Sequence, residues 1–373
     1  MLKRVAAPSA HDVARLAGVS QAAVSRAFTP GASISKAMKE KVLRAAQTLG
    51  YRPNLIARSL IKGQSGIVGV IIGNPTDSFF MAALDALSKR LSRAGKHILI
   101  VITELGAPAD EHVEDLLEYR VDALLLMAAG ISSNLSDQCR KEGIPVLFFC
   151  RRPDGADGSA NGKGRRGAHA DDSFSVSGND REGTRQIAGH LLQQGYRNLG
   201  FLGGPAESPT SRDRESAFTA YVKAQGLPPP VRVVGAYHRD GAVRAAREIL
   251  SLSPRPDAVF CVNDFVAMTL IDVARHEFGL EIGREIGVAG FDDRPMASWP
   301  TFDLTTYSQP VDTMIDQAAE ILLASPDCGR PVQIVVDGVL QLRGSTRRGL
   351  ADAPERPSRP KATRGKSGKQ TVK

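Results

Sequence analysis

The sequence predicts an all-α helix-turn-helix unit followed by an α/β region of two doubly wound parallel-sheet subdomains. Three observations predict this. Residues 9–50 carry three short helical patterns with cap residues and a glycine turn between the first two. From Ile67 onward, short continuous apolar runs alternate with amphipathic helical segments. Those runs fall into two sets, which is the pattern of two parallel sheets, each covered on both faces by helices.

Ser9 followed by Asp12 predicts a helix start of capping-box type, with Asp12 in place of the usual Glu or Gln. The first helix is expected over 10–17, with Val13, Leu16 and Ala17 on its buried face. Gly18 permits the left-handed residue of a tight helix stop. Ser20 is expected to cap a second helix over 21–28, buried through Ala23, Val24 and Ala27. Ser35 is expected to cap a third that ends at Gly50 and buries Val42, Leu43, Ala46 and Leu49. Two short helices across a glycine-containing turn are the helix-turn-helix pattern, whose second helix enters a DNA major groove. The outward face of that helix carries Gln21, Ala22, Ser25 and Arg26. Arg can bond guanine in bidentate fashion and Gln can pair with adenine.

Charge agrees with a polyanionic partner. Residues 1–62 hold 11 Lys/Arg against 2 Asp/Glu, and residues 351–373 hold 7 against 2. With a net charge of +8 for the whole chain, the stretch between them is acidic. Positive charge gathered at the ends of the chain is the footprint of a DNA binder. No apolar run approaches bilayer-spanning length, and the basic start lacks the apolar segment of a secretory signal. The expected location is cytoplasmic, associated with the nucleoid. Cys139, Cys150, Cys261 and Cys328 are scattered, with no metal or redox spacing, so no metal, cofactor or disulfide is expected.

The segments DVARLAGVSQAAVSRAF and VLRAAQTLGYRPNLIARSL together resemble the N-terminal module of the lactose-repressor/galactose-repressor family of bacterial transcription regulators. The resemblance implies a homodimer, or a tetramer built from it, on a near-palindromic double-stranded operator. Arg26 and the Gln21–Ala22 pair would choose bases, with Ser20 and Ser25 beside them. It further implies a hinge helix within 54–62, with Leu60 as a wedge in the central minor-groove step and Arg58 near phosphates. Such wedges unstack and kink DNA.

The apolar runs of the α/β region are 67–72, 97–101, 122–127 and 145–150, then 199–203, 258–262 and 286–291. Helical patterns lie between them, among them 79–94, 180–194, 212–225, 241–250 and 264–278. This texture resembles the periplasmic sugar-binding proteins, which is also the architecture of the family. The family carries helix 311–324 back to the first subdomain and returns 332–340 to the second. The domains are therefore expected at 1–53 (reader), 54–64 (hinge and linker), 65–349 (effector-binding and dimerisation, periplasmic-binding-protein-like) and 350–373 (disordered basic tail), with crossings near 175 and 305–330.

Ligands of doubly wound sheets bind beyond the carboxyl ends of the strands. The residues expected there include Asp77, Phe79, Arg151, Arg214, Asn263, Asp292 and Trp299. Carboxylates, amides, arginines and aromatic faces suit a sugar-like or anionic metabolite as small-molecule effector. Each has a plainer explanation too: Asp77 and Asn263 as helix caps, Phe79 as core, Arg214 as a solvated helix residue. The resemblance favours Asn263 with Asp264, the GFDD segment at 290–293 and Arg214. Two features depart from the family: Asn179–Asp180 stands in reversed order, and the 153–172 segment is about a dozen residues longer. A solute-binding role in transport is disfavoured by the basic N-terminal module. Enzymatic activity is disfavoured because no G-x-G-x-x-G follows a strand, and neither HExxH nor G-x-S-x-G occurs. The Gly-Lys-Ser within 364–368 lacks the context of a phosphate loop.

Overall fold

The structure, a computed structural model, describes residues 8–29, 31–52, 64–73, 75, 77–104, 109–150, 173–205, 208–324 and 332–348. The expectations for the hinge, Arg58, Leu60, Arg151, the 153–172 segment, Cys328 and the basic tail lie outside the described residues.

The reader is three helices, α1 (Ala10–Ala17), α2 (Gln21–Ala27) and α3 (Lys36–Leu49). The capping box forms: the Ser9 amide donates to Asp12 Oδ2 at 3.0 Å and the Asp12 amide donates to Ser9 Oγ at 3.3 Å. Gly18, with φ 56°, closes α1 and lets the chain turn into the Ser20 cap of α2. The buried stripes are Val13, Ala14 and Ala17 on α1, Ala23, Val24 and Ala27 on α2, and Val42, Ala45 and Ala46 on α3. Two assignments from the sequence are corrected. Leu16 is 53% exposed and Leu43 40% exposed, because the helices approach closely through alanine and leave the leucines at the rim.

The remaining described chain forms two six-stranded sheets. The first subdomain contains β1 (Ile67–Ile72), β2 (His97–Ile102), β3 (Ala123–Met127), β4 (Val146–Phe149) and β5 (Phe174–Gly178). Its helices in chain order are α4 (Ser78–Arg93), α5 (Asp110–Glu118) and α6 (Ser133–Lys141). After β5 the chain passes to the second subdomain with α7 (Asp180–Gln193), β6 (Leu199–Gly203), α8 (Pro209–Ala224) and β7 (Val231–Val234). There follow α9 (Arg239–Leu250), β8 (Ala258–Cys261), α10 (Asp264–His276), β9 (Gly287–Asp292) and β10 (Thr305–Ser308). The chain then returns: α11 (Val311–Leu323) buries Met314, Ile315, Ala318 and Leu322 in the first core.

The last segment differs from expectation. Residues 332–340 do not all return to the second subdomain. β11 (Gln333–Val336) pairs in parallel with β5, and only β12 (Val339–Gln341) joins the second sheet, antiparallel to β10. The strand orders are β11-β5-β4-β3-β1-β2 and β12-β10-β9-β8-β6-β7. The chain therefore passes between subdomains at three places, between 178 and 180, 308 and 311, and 336 and 339. Buried β1, β3 and β4 are apolar throughout, as parallel strands covered on both faces require. The second core gathers Phe201, Phe218, Phe260, Phe291 and Tyr307, whose neighbouring ring centroids lie 5.0–6.5 Å apart.

Candidate effector cleft and DNA-reading face

The carboxyl ends of the strands meet at a cleft lined by both subdomains. Its walls include Asp77, Phe79, Phe80 and Cys150 from the first, and Ser208, Arg214, Tyr237, Asn263, Asp292 and Gln309 from the second side and its crossing. The atom-free space between these walls, counted out to open solvent, is about 470 Å³.

Arg214 is placed by the first turns of α8 and is buried. Its Nε donates to Asp180 Oδ1 at 2.9 Å, its Nη1 to the Val262 carbonyl at 2.6 Å, and its Nη2 lies 2.8 Å from Asp180 Oδ1. The guanidinium carbon sits 3.6 Å from the centre of the Phe291 ring, so cation–π attraction compensates part of its desolvation. Asp292 Oδ1 is 3.8 Å from Arg214 Nη2 and accepts from Gln309 Nε2 at 2.7 Å.

The loop after β9 is held in an uncommon backbone. Asp292 and Asp293 have φ of 110° and 53°, positions that L-residues rarely adopt. Surrounding contacts impose them. Arg343 Nη2 donates to Asp293 Oδ1 at 2.7 Å, and the Arg294 amide donates to Asp264 Oδ2 at 2.6 Å. Asp264 also accepts from the Thr306 hydroxyl at 2.5 Å. It is fully buried beneath this loop. The result fixes the Asp292 carboxylate at the cleft; strained backbone clusters at functional sites.

Asp77 and Asn263 are helix caps, the plainer of the two readings. Asp77 caps α4 through the Phe79 amide at 2.9 Å, and Asn263 caps α10 through the Val266 amide at 3.0 Å. Both still line the cleft. Phe79 packs in the core against Phe80 and Phe149 and also lines the cleft. Trp299 is a correction. It follows a 3-10 turn (Pro295–Ser298), is 53% exposed and is not among the lining residues, because that turn carries the chain away from the cleft.

Three polar contributors absent from the expected set matter most: Arg294, Gln309 and Tyr237. Arg294 forms an ion pair with Asp77 and lies 3.7 Å from Asp292 Oδ2. Its position directly after the GFDD segment is the available signal. Gln309 follows β10 at a crossing, and Tyr237 follows β7, an edge strand with no continuous apolar run to mark it.

The buried charges shift one another. Burial pushes Asp77 up to about 6, helped by the Asp292 carboxylate and opposed by Arg294, Arg214 and a hydrogen bond with Asn263. Burial, with the Asp292 charge, pushes Asp264 up to about 8. Asp292 is raised by burial against the pull of Arg214 and Arg294. Cys150 is pushed well above its ordinary value by burial and by Asp180 and Asp292, which keeps it a thiol rather than a thiolate.

The second surface is α2. Ser20 Oγ accepts from the Ala23 amide at 3.2 Å, which starts the helix, while Gln21, Ala22, Ser25 and Arg26 are exposed along one side. These side chains are free of the reader's apolar core and share the face that a major groove could receive. No helix among the described residues is long and apolar enough to cross a membrane.

Comparison with known proteins bears on both surfaces. Residues 9–54 match the family model described as bacterial regulatory proteins, lacI family, and residues 188–346 match that of a periplasmic binding protein-like domain. The chain is 28% identical over 316 residues to the HTH-type transcriptional repressor PurR of Photobacterium profundum, covering 84% of this chain and 90% of that protein. It is 29% identical over 316 residues to the ribose operon repressor of Escherichia coli (strain K12), covering 84% and 91%. Among solved structures, the lac repressor dimer bound to operator and the anti-inducer ONPF matches with a TM-score of 0.78 at 23% identity, over 91% of this chain and 99% of that one. A LacI family regulator from Enterococcus faecium with bound ribose matches with a TM-score of 0.64 at 18% identity, over 75% and 98%. The match to these regulators thus runs through both the three-helix reader and the two-sheet body. The chain is a DNA-binding transcription regulator built from a lacI-family helix-turn-helix module and a periplasmic binding protein-like domain.

Proposed function

We propose that this regulator is a repressor that binds a near-palindromic operator as a homodimer and is controlled by a small sugar-like metabolite in the cleft. The observation that carries the reading is the convergence of Asp77, Arg214, Asn263 and Asp292, from four distant parts of the sequence, in one cleft of a chain that also presents Gln21, Ala22, Ser25 and Arg26 outward. Both guanidiniums at the cleft are already engaged by carboxylates. That supports a ligand bearing hydrogen-bond donors over an anionic one. Ribose is bound in one similar structure and one relative is a repressor of the ribose operon, which supports a sugar.

Ligand binding between the subdomains changes their relation and, through it, operator affinity. A coupling of about 1–3 kcal/mol alters affinity from severalfold to about a hundredfold. On the resemblance to the family, Leu60 is the minor-groove wedge and Arg58 a phosphate contact. The test is selection of a randomised duplex library by the full chain, followed by a thermal-shift screen of sugars and an operator-binding assay with the hit. Enrichment of an inverted repeat and a ligand-dependent change in its affinity are expected. If no sequence is enriched, the operator reading fails. If a sugar saturates the protein while operator affinity stays constant, the effector reading fails.

A further inference from the structure

Five charged side chains run across the cleft in alternating sign: Asp180, Arg214, Asp292, Arg294 and Asp77. Asp180 and Arg214 are 2.8 Å apart, Arg214 and Asp292 3.8 Å, and Asp292 and Arg294 3.7 Å. Arg294 and Asp77 are in direct contact. The first four belong to the second subdomain. Only Asp77 belongs to the first, at the start of α4. The Asp77–Arg294 contact therefore spans the two bodies.

Each end of this contact is anchored within its own subdomain. Asp77 caps α4 through the Phe79 amide. Arg294 is fixed in the second subdomain through its amide on the buried Asp264 carboxylate, and its guanidinium also reaches across the cleft, its carbon 5.3 Å from the centre of the Phe79 ring. The pair is little exposed, at 7% of the Arg294 and 13% of the Asp77 side-chain surface. A buried ion pair holds firmly once formed, because parting it leaves two charges that must each be resolvated or repaired. Two rigid anchors joined by such a pair resist the hinge motion that domain closure and opening require.

We propose that Asp77 and Arg294 form a latch that holds the two subdomains together across the cleft, and that cleft opening requires this pair to part. The proposal rests on the reading of this cleft as the effector site only for its regulatory meaning; the latch itself is a property of the chain without any added ligand. Its consequence for that site is direct. The five-member row carries three carboxylates and two guanidiniums. A ligand that enters must satisfy Asp77 in place of the guanidinium, while Arg294 keeps Asp292 as its remaining partner.

The test uses small-angle X-ray scattering of the full chain with no ligand added, comparing wild type with Asp77→Asn, Arg294→Met, Arg294→Lys and the Asp77→Asn/Arg294→Met double variant. Asn retains a side-chain oxygen that can cap α4, so Asp77→Asn tests the charge rather than the fold. The two neutral variants are expected to shift the radius of gyration upward, the double variant no further than the larger of them, and Arg294→Lys to stay near wild type. Non-additivity is the signature of a shared interaction. An unchanged radius in folded Asp77→Asn, or additive shifts in the double variant, overturns the latch. That outcome leaves the effector reading intact, since the sugar screen and operator assay decide it separately.

Discussion

The hydroxyl of Tyr307 accepts a hydrogen bond from the Gly338 amide at 2.7 Å, tying together two of the three places where the chain passes between subdomains. The same ring closes over the third. A Cβ placed on Gly183, in the first turns of α7, would lie 2.6 Å from its Cδ1 atom. Tyr307 is itself fully buried. One aromatic side chain thus packs where all three connections converge.

Tyr307→Phe removes only the acceptor. Gly338 is partly accessible, so water can replace part of the lost bond, and the expected cost is about 1 kcal/mol, the low end for an unsatisfied amide. Gly183→Ala drives a methyl into a ring with no room to yield and should cost about 1–3 kcal/mol. Chemical denaturation of the two variants checks the order. A Tyr307→Phe variant less stable than Gly183→Ala contradicts this account of the junction.

Arg214 neutralises Asp180 and Asp292 from within the core of the cleft. Arg214→Met leaves those carboxylates without their cation, and breaking a buried pair in this way costs about 3–5 kcal/mol. Arg214→Lys keeps the charge but not the fork that reaches Asp180 and the Val262 carbonyl together. Its destabilisation should be intermediate, and its response to an effector should be weaker than that of wild type. Denaturation of both variants, with DNA selectivity as a control, reads the difference. Equal stability for Lys and Met would show that geometry, and not charge, is what Arg214 supplies.

Asp264 predicts a pH dependence with a definite sign. Its ordinary value is 3.8 and burial raises it to about 8 in the folded chain. Between those pH values the folded state binds the extra proton, so this group makes stability fall as pH rises from about 4 to about 8. Asp77 acts in the same direction up to about 6. In Asp264→Asn the amide oxygen can still accept from the Arg294 amide, and the Thr306 hydroxyl can turn to accept from the new NH2. Unfolding free energies from urea titration at pH 5 and pH 8.5 should therefore differ less in the variant than in wild type, by an amount on the order of a few kcal/mol. Parallel free energies for the two proteins across that interval would falsify the assignment.

The sequence revealed some of this site and hid the rest for physical reasons. Strands such as IVGVII and LGFLG are apolar on both faces and announce themselves. β5, Phe174–Gly178, does not: Ser175 and Ser177 are buried in it and read as loop residues. Asn263 and Asp292 were legible because they follow recognisable strands. Arg294 was not among the residues expected at the cleft, although it directly follows the GFDD segment. Its partner stands 217 residues away in sequence, and only the meeting of two sheets makes them neighbours. Trp299 failed in the opposite sense, since an aromatic residue after a strand end suggested a ligand platform and the 3-10 turn carries it outward. In the reader, periodicity marked the helices correctly, but small alanines rather than Leu16 and Leu43 make the close contacts.

Asp292→Ala removes the carboxylate that the strained loop directs into the cleft. Both Arg214 and Arg294 approach it. It is expected to abolish the effector response while operator affinity without effector remains close to that of wild type, because the reader has its own core. Titration of operator with and without the sugar that stabilises the wild type checks this. A full response in the variant removes Asp292 from the site.

Arg26 provides the sharpest test of the reading face. It is exposed in the last turn of α2, and its Nε donates to the Ala22 carbonyl at 3.4 Å, which leaves its outer nitrogens pointing beyond the helix. If those nitrogens grip a base edge, Arg26→Ala should cost about 1–3 kcal/mol at one base pair and relax selection there alone. If they grip a phosphate, affinity should fall equally on every sequence and the salt dependence should become shallower. Ser20→Ala supplies the comparison. It removes the cap of α2 at a cost of about 1 kcal/mol in helix stability, so it should weaken binding without changing which bases are preferred. Measuring both variants on a panel of single-base operator substitutions separates a residue that reads from one that only holds the reader in shape.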